Sequence, residues 1–124
     1  MIAGIGVDLV DIAQMREHVA DPIFLEYTFT QYEREYASTR GDAGECLSGM
    51  YAAKEAVTKA LAPLACGDGF DIREVEILHA ENGTPYVAQS TPVAAFMREH
   101  GIEKMHISIS HDGGYATAFA VAEG

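Results

Sequence analysis

"MYAAKEAVTKAL", Met50 to Leu61, is a run of strong helix formers that neither Gly nor Pro interrupts. At about 100° per residue, Leu47, Met50, Ala53, Val57, Leu61 and Leu64 fall on one arc. That periodicity predicts a long helix from about Glu45 to Leu64, stopped by Ala65-Cys66-Gly67-Asp68-Gly69. Lys54 points into the apolar arc. Glu55 and Lys59, four apart, lie next to each other just outside it. A solvated Glu→Lys pair at this spacing contributes only about 0.2–0.5 kcal/mol. Solvation is the plainest reason for those two charges, but it leaves Lys54 unexplained.

Outward from this helix the chain alternates between strands and short helices. Ile2 to Val10 is a predicted strand, with Ala3, Ile5, Val7 and Leu9 on one face and Gly4, Gly6 and Asp8 on the other. Asp11 can cap a helix reaching about Ala20, which Asp21-Pro22 breaks. Thr30-Gln31-Tyr32-Glu33 fits a capping box and starts another helix. Arg40 to Gly44 is a loop before the long helix. Beyond it, Asp71 to Ala80 alternates like a strand, Asn82-Gly83 signals a tight hairpin turn, and Pro85-Tyr86-Val87 returns. Thr91-Pro92 starts a helix that Gly101 ends. Lys104–Asp112 and Tyr115–Ala122 form a last hairpin about Gly113-Gly114. The order β-α-α-α-β-β-α-β-β has no regular βαβ unit. It indicates an α+β fold whose mainly antiparallel sheet packs against one long helix. Ala118, Ala120 and Ala122 share a hairpin face with Met105, Ile107 and Ile109, which suits a close helix approach.

One domain spanning residues 1–124 is the expected organisation, with enough chain for a core without staples. The 19 acidic residues against 8 Lys and Arg give a net charge of −11. That balance argues against a nucleic-acid partner, because Lys and Arg supply most non-specific affinity for phosphate. No apolar run reaches the roughly 18 residues that span a bilayer, and MIAGIGVDLV lacks the basic start of a secretion signal. Cys46 and Cys66 have no metal or redox spacing. A cytoplasmic location without membrane attachment follows by elimination.

Asp8 and Glu55 are the first candidate pair for chemistry. A carboxylate at a strand end, on a face reduced to Gly, leaves room for something other than a side chain. A second carboxylate on the helix edge could meet it, and two carboxylates with open positions suit Mg²⁺. The plainer alternative has Asp8 capping the following turn and Glu55 solvated. Ser110-His111-Asp112 cannot be a catalytic triad, since adjacent strand residues point to opposite faces. Gly4-Ile5-Gly6 lacks the third glycine of a dinucleotide loop.

Taken in order, "GIGVDLVDI" (Gly4–Ile12), "FTQYE" (Phe29–Glu33), "YAAKEAVTKAL" (Tyr51–Leu61), "NGTPYV" (Asn82–Val87) and "HISISHDGGYATAFAV" (His106–Val121) resemble the small group of 4'-phosphopantetheinyl transferases. The likeness covers nearly the whole chain, and the Ala-Ala-Lys-Glu-Ala-x-x-Lys-Ala block is its most specific part. It implies a Mg²⁺-dependent transfer of 4'-phosphopantetheine from coenzyme A to a serine of an apo acyl carrier protein, releasing adenosine 3',5'-bisphosphate. It also implies a homotrimer with sites at subunit interfaces. By the same resemblance Asp8 and Glu55 are the metal ligands, Lys59 faces the pyrophosphate and Lys54 is a phosphate neighbour. His106 approaches the phosphates and the incoming serine, supported by His111 and Asp112. Gly83 and Pro85 lie on the coenzyme A side. Glu55, then His106, are the candidates for the base.

Two positions depart from the pattern. Met50 stands where the family usually has Arg, and Thr84 where it usually has Lys or Arg. Both losses fall on the coenzyme A side and predict weak discrimination against the 3'-dephospho form. They also motivate an alternative, a weakly active or inactive relative serving as a carrier-protein or nucleotide-binding module. Carrier proteins are acidic, and Arg16, with Arg34 and Arg40, is what remains of a basic patch to receive one.

Overall fold

The computed structural model describes residues 1–65 and 69–124. Strand β1, Ile2–Asp11, runs straight into helix α1, Ile12–Val19, where Asp11 accepts the Gln14 N–H as N-cap. Asp21-Pro22 does more than break that helix: it caps and opens a helix of its own, α2, Pro22–Thr28. The same Asp/Thr-Pro signature predicted the helix after Thr91, so the extra element was readable. The Thr30–Glu33 capping box starts α3, Gln31–Ser38, with both reciprocal bonds made. The long helix α4 is Ala43–Leu61, capped by Asp42. It starts two residues earlier and ends three residues earlier than its periodicity predicts. The expected stop at Cys66-Gly67-Asp68 lies outside the described residues.

The predicted strand Asp71–Ala80 is mostly something else: a 3₁₀ turn at Ile72–Glu74, then a short β2, Ile77–His79. It pairs with β3, Pro85–Val87, across a five-residue loop in which Gly83 takes φ +88°. Helix α5, Pro92–Glu99, leads to β4, Lys104–Asp112, and β5, Tyr115–Glu123. The main sheet is antiparallel with order β1-β5-β4, and β2-β3 is a separate two-stranded ribbon. The α+β reading with an antiparallel sheet against one long helix holds.

Helix α4 lies across the inner face of the main sheet. Ala118, Ala120 and Ala122 are buried beneath it together with Ala52, Ala53, Ala56 and Ala60 of the helix. The approach is closest at β1. A Cβ on Gly4 would stand 1.9 Å from the Ala60 carbonyl oxygen, and one on Gly6 the same distance from that of Ala56. The bare glycine face, expected to leave room for a ligand, is therefore filled by helix backbone.

Candidate active site

The Gly4 and Gly6 contacts also fix where Asp8 falls. Two strand residues rise roughly 6.6 Å and four helix residues about 6 Å, so β1 and α4 run antiparallel in near register. One further step from the Gly6–Ala56 contact places Asp8 beside the turn containing Tyr51 and Glu55. Asp8 and Glu55 do line one cleft of about 300 Å³, shared with Tyr51, Gln14, His18 and Phe24. The Glu55 carboxyl is pushed above its ordinary range by burial first and the Asp8 charge second, with Lys59 opposing. The Tyr51 phenol is raised by burial and then by the same two carboxylates. The Lys59 ammonium donates to Asp8 Oδ1 at 3.1 Å and to the Val7 carbonyl at 3.0 Å. Glu55 and Lys59 are thus not a solvated pair; both converge on Asp8.

A partly buried carboxylate, Glu55, facing the charge of a second one, Asp8, suits a hard divalent cation. Mg²⁺ is bound through one or two carboxylates and completes its shell with waters and phosphate oxygens. No cluster of three or more His, Cys, Asp or Glu side chains capable of holding a metal occurs among the described residues. A two-carboxylate set is the kind that leaves positions open to a phosphorylated substrate. Sequence reasoning missed Tyr51, Gln14 and His18 as cleft walls, although helical spacing pointed to them. Tyr51 precedes Glu55 by one turn, and Gln14 and His18 are four apart on α1.

Lys54 requires a correction. Its ammonium is wholly buried, 2.7 Å from Glu33 Oε1 and donating to the Ile72 carbonyl at 3.0 Å, with the Phe29 ring nearby. Glu33 is equally buried, and its carboxylate also accepts from the backbone N–H groups of Thr30 and Ile77. Lys54 faces away from Asp8 and is no phosphate neighbour. It ties α4 to α3, the 3₁₀ turn and β2, which accounts for a lysine inside an apolar arc.

The other expected residues separate into distinct places. His106 projects from the outer face of β4, opposite the side that carries Asp8, and bonds Glu123 Oε1 at 2.9 Å. Within one chain it does not approach the Asp8–Glu55 cleft. His111 points inward, 3.1 Å from Glu45 Oε1, and shares a second cavity of about 590 Å³ with Gly83, Pro85 and Met50. Asp112 ends β4 opposite Tyr115 and borders a surface recess with Arg16 and His111. Arg16 is held 2.5 Å from Asp42 Oδ2, the N-cap of α4, so it is not a free cation of a basic patch. Cys46 is half-buried with its thiol pushed up, chiefly by burial; Cys66 lies outside the described residues. No helix among the described residues is long and apolar enough to cross a membrane.

Residues 4–120 match the model of the 4'-phosphopantetheinyl transferase superfamily. The chain belongs to that family and is an enzyme of its class. Over 99% of its length it is 36% identical to the holo-(acyl-carrier-protein) synthase of Halothermothrix orenii, covering 98% of that protein. In structure it is similar to the holo-(acyl-carrier-protein) synthase of Neisseria meningitidis, with a TM-score of 0.84, 29% identity and full coverage of both chains. It is also similar to the "ACPS-CoA complex" of Chronobacterium ammoniagenes, with a TM-score of 0.82 and 35% identity over 97% of this chain and 96% of that one.

Proposed function

We propose that the chain, as one domain of residues 1–124, transfers 4'-phosphopantetheine from coenzyme A to a serine of an apo acyl carrier protein in the cytoplasm, depends on Mg²⁺ and releases adenosine 3',5'-bisphosphate. The observation that carries this reading is the sharing of one cleft by Asp8 and Glu55, with the Lys59 ammonium bonded to Asp8. Displacement at phosphorus needs positioning and charge neutralisation more than covalent help. Asp8 and Glu55 would hold the metal, which neutralises phosphate charge when bound. Lys59, anchored on Asp8 and the Val7 carbonyl, sets a cation beside the leaving bisphosphate. Glu55, a carboxylate on the cleft wall, takes the serine proton. Tyr51, Gln14, His18 and Phe24 wall the cleft that the serine must enter.

A homotrimer is part of the same proposal. The outer face of the main sheet carries Ile5, Val7 and Leu9 at 60, 53 and 65 % exposure, with Phe119 beside them at 44 %. Four large apolar side chains on one sheet face mark an association surface. His106 stands on that face, so a neighbouring copy brings it to a subunit contact. The separation of the Asp8–Glu55 cleft from the Gly83–Pro85–His111 cavity fits a site completed between copies. The inactive-relative reading is not favoured, because its only support is Met50 and Thr84 and neither belongs to the acidic cleft.

The deciding experiment incubates the protein with coenzyme A, Mg²⁺ and a panel of apo carrier proteins, and reads the mass gained by each carrier. Excess EDTA should abolish the gain, and Asp8→Asn or Glu55→Gln should cut the rate by orders of magnitude with an unchanged melting transition. Full transfer in EDTA would remove the metal from the reaction.

A further inference from the structure

The Asp8–Glu55 cleft has a wall of aromatic rings that the proposed reaction leaves idle. Asp21-Pro22 opens α2, and that helix brings Phe24 onto the cleft beside His18 of α1. The two rings stack with centroids 5.1 Å apart and planes 27° from parallel. At the junction of the two helices the His18 carbonyl accepts the Asp21 N–H. Ring and backbone of His18 are both held, yet the residue is exposed and its ring nitrogens bond to no other described residue. Stacking occupies a ring face and leaves the edge, where both nitrogens lie, open to water.

The groups that share the cleft with this imidazole come from three elements. Strand β1 supplies Asp8 and Asp11, α4 supplies Tyr51 and Glu55, and α1 adds the neutral Gln14. Asp11 is occupied in capping the Gln14 N–H, and Lys59 bonds Asp8. Arg16, two residues from His18, is paired with Asp42. Among the described lining residues His18 is therefore the one nitrogen base.

A base of that kind answers a need set by Glu55. A carboxylate must be deprotonated to hold a metal, so Glu55 cannot keep the serine proton and its cation together. Asp8 is barred from receiving the proton on the same ground. The Tyr51 phenol already carries a proton, and burial, then the two carboxylates, keeps it there. Histidine is the side-chain type that takes up and gives back protons near neutral pH. At about 300 Å³ the cleft holds on the order of ten waters, so a short water chain spans it.

We propose that His18, oriented by Phe24, is the exit for the serine proton. Glu55 takes the proton as the serine oxygen bonds to phosphorus, and the bond from phosphorus to the bisphosphate oxygen breaks with its electron pair on the leaving group. The proton then passes through cleft water to the imidazole, which gives it to solvent. The inference rests on the reading above, in which Glu55 is both metal ligand and base. His18 acts on the proton after it has left the serine and touches neither phosphorus nor the serine oxygen.

The test measures transfer by His18→Ala and His18→Gln, with the melting transition as the check on folding. Acid–base steps contribute about 10²–10⁴-fold, and loss of a relay belongs at the lower end. Both variants should lose kcat roughly a hundredfold, while the KM values for coenzyme A and carrier do not rise. Added imidazole should restore kcat saturably in His18→Ala, where there is space for it, and much less in His18→Gln. Independently of turnover, imidazole should shift the Phe24 ring resonances of His18→Ala in NMR spectra and leave those of His18→Gln in place. Phe24→Leu, which removes the support and keeps the base, should lower kcat by a smaller factor. An unchanged kcat in His18→Ala overturns the relay alone. So does a loss that appears as a raised carrier KM and that imidazole does not repair, since that is the mark of a docking residue. A wild type that transfers to no carrier overturns the proposed reaction, and the relay with it.

Discussion

The two faces of the main sheet are made by the same three strands and share almost nothing else. On the inner face, Gly4 and Gly6 of β1 and Ala118, Ala120 and Ala122 of β5 are stripped to the backbone or a methyl group, and α4 lies directly on them. On the outer face the same strands carry Ile5, Val7, Leu9 and Phe119, which the single chain leaves in water. The inner face buys close approach by giving up side chains, and the approach stops where a side chain returns. That side chain is Asp8. The acidic cleft thus lies at the first position where the strand no longer fits flush against the helix. The outer face contributes no such packing, and its apolar residues have work only if another molecule covers them.

The largest expected effect breaks the inner face. Gly6→Ala drives a methyl group to within 1.9 Å of a helix carbonyl oxygen, and no side-chain rotation relieves a clash with backbone. Ordinary overpacking costs about 1–3 kcal/mol; this substitution should exceed that range and deplete the soluble folded protein. Val7→Ala, one residue along and facing outward, is the control. Chemical denaturation of the two variants should separate them by several-fold in stability loss, and similar midpoints would dissolve the distinction between the faces.

Next in size is the buried Lys54–Glu33 pair on the far side of α4 from the cleft. Removing one partner leaves an uncompensated buried charge, so Lys54→Met should cost about 3–5 kcal/mol. Combining it with Glu33→Gln removes the orphaned charge and should recover much of the loss. Because the pair fixes α4 against α3 and β2, and not against Asp8, activity per folded molecule should survive in the double variant. A double variant as unstable as Lys54→Met alone would mean that packing, not charge, sets the cost.

The order of elements was legible because caps and turns are local: Asp11, Thr30-Glu33, Asn82-Gly83 and Thr91-Pro92 act within four residues of themselves. The strand alternation was equally plain, and so was the hairpin face of alanines. What covers each face was not, since alternation sorts residues into two sets without naming the buried one. In sequence Gly4 and Gly6 therefore look like space for a ligand, whereas the helix takes it. Asp8, Glu55 and Lys59 came from adjacent turns and a motif. Lys54 went astray because its partner, Glu33, lies 21 positions away and had a complete local role in the α3 capping box. The stack of His18 on Phe24 was no more legible, since the two rings belong to different helices and only the folded chain brings both to the cleft.

The smallest effect on a single chain is expected on the outer face, and there it sharpens the comparison most. Val7→Ser with Phe119→Ser replaces two exposed apolar side chains, and surface changes of this kind stay within about 0.5 kcal/mol of neutral for each site. At dilutions where the chains are separate, the denaturation midpoint should barely move. Assembly should respond differently, because the removed side chains are those the proposed homotrimer would bury. Sedimentation equilibrium of the wild type should report about three times the chain mass of 13.4 kDa, and the double variant should fall toward 13.4 kDa. Transfer should fall with it and return at high protein concentration, as mass action requires when sites are shared between copies. A wild type that sediments as one chain and still turns over would leave the outer face without an occupant and the active site complete within each chain.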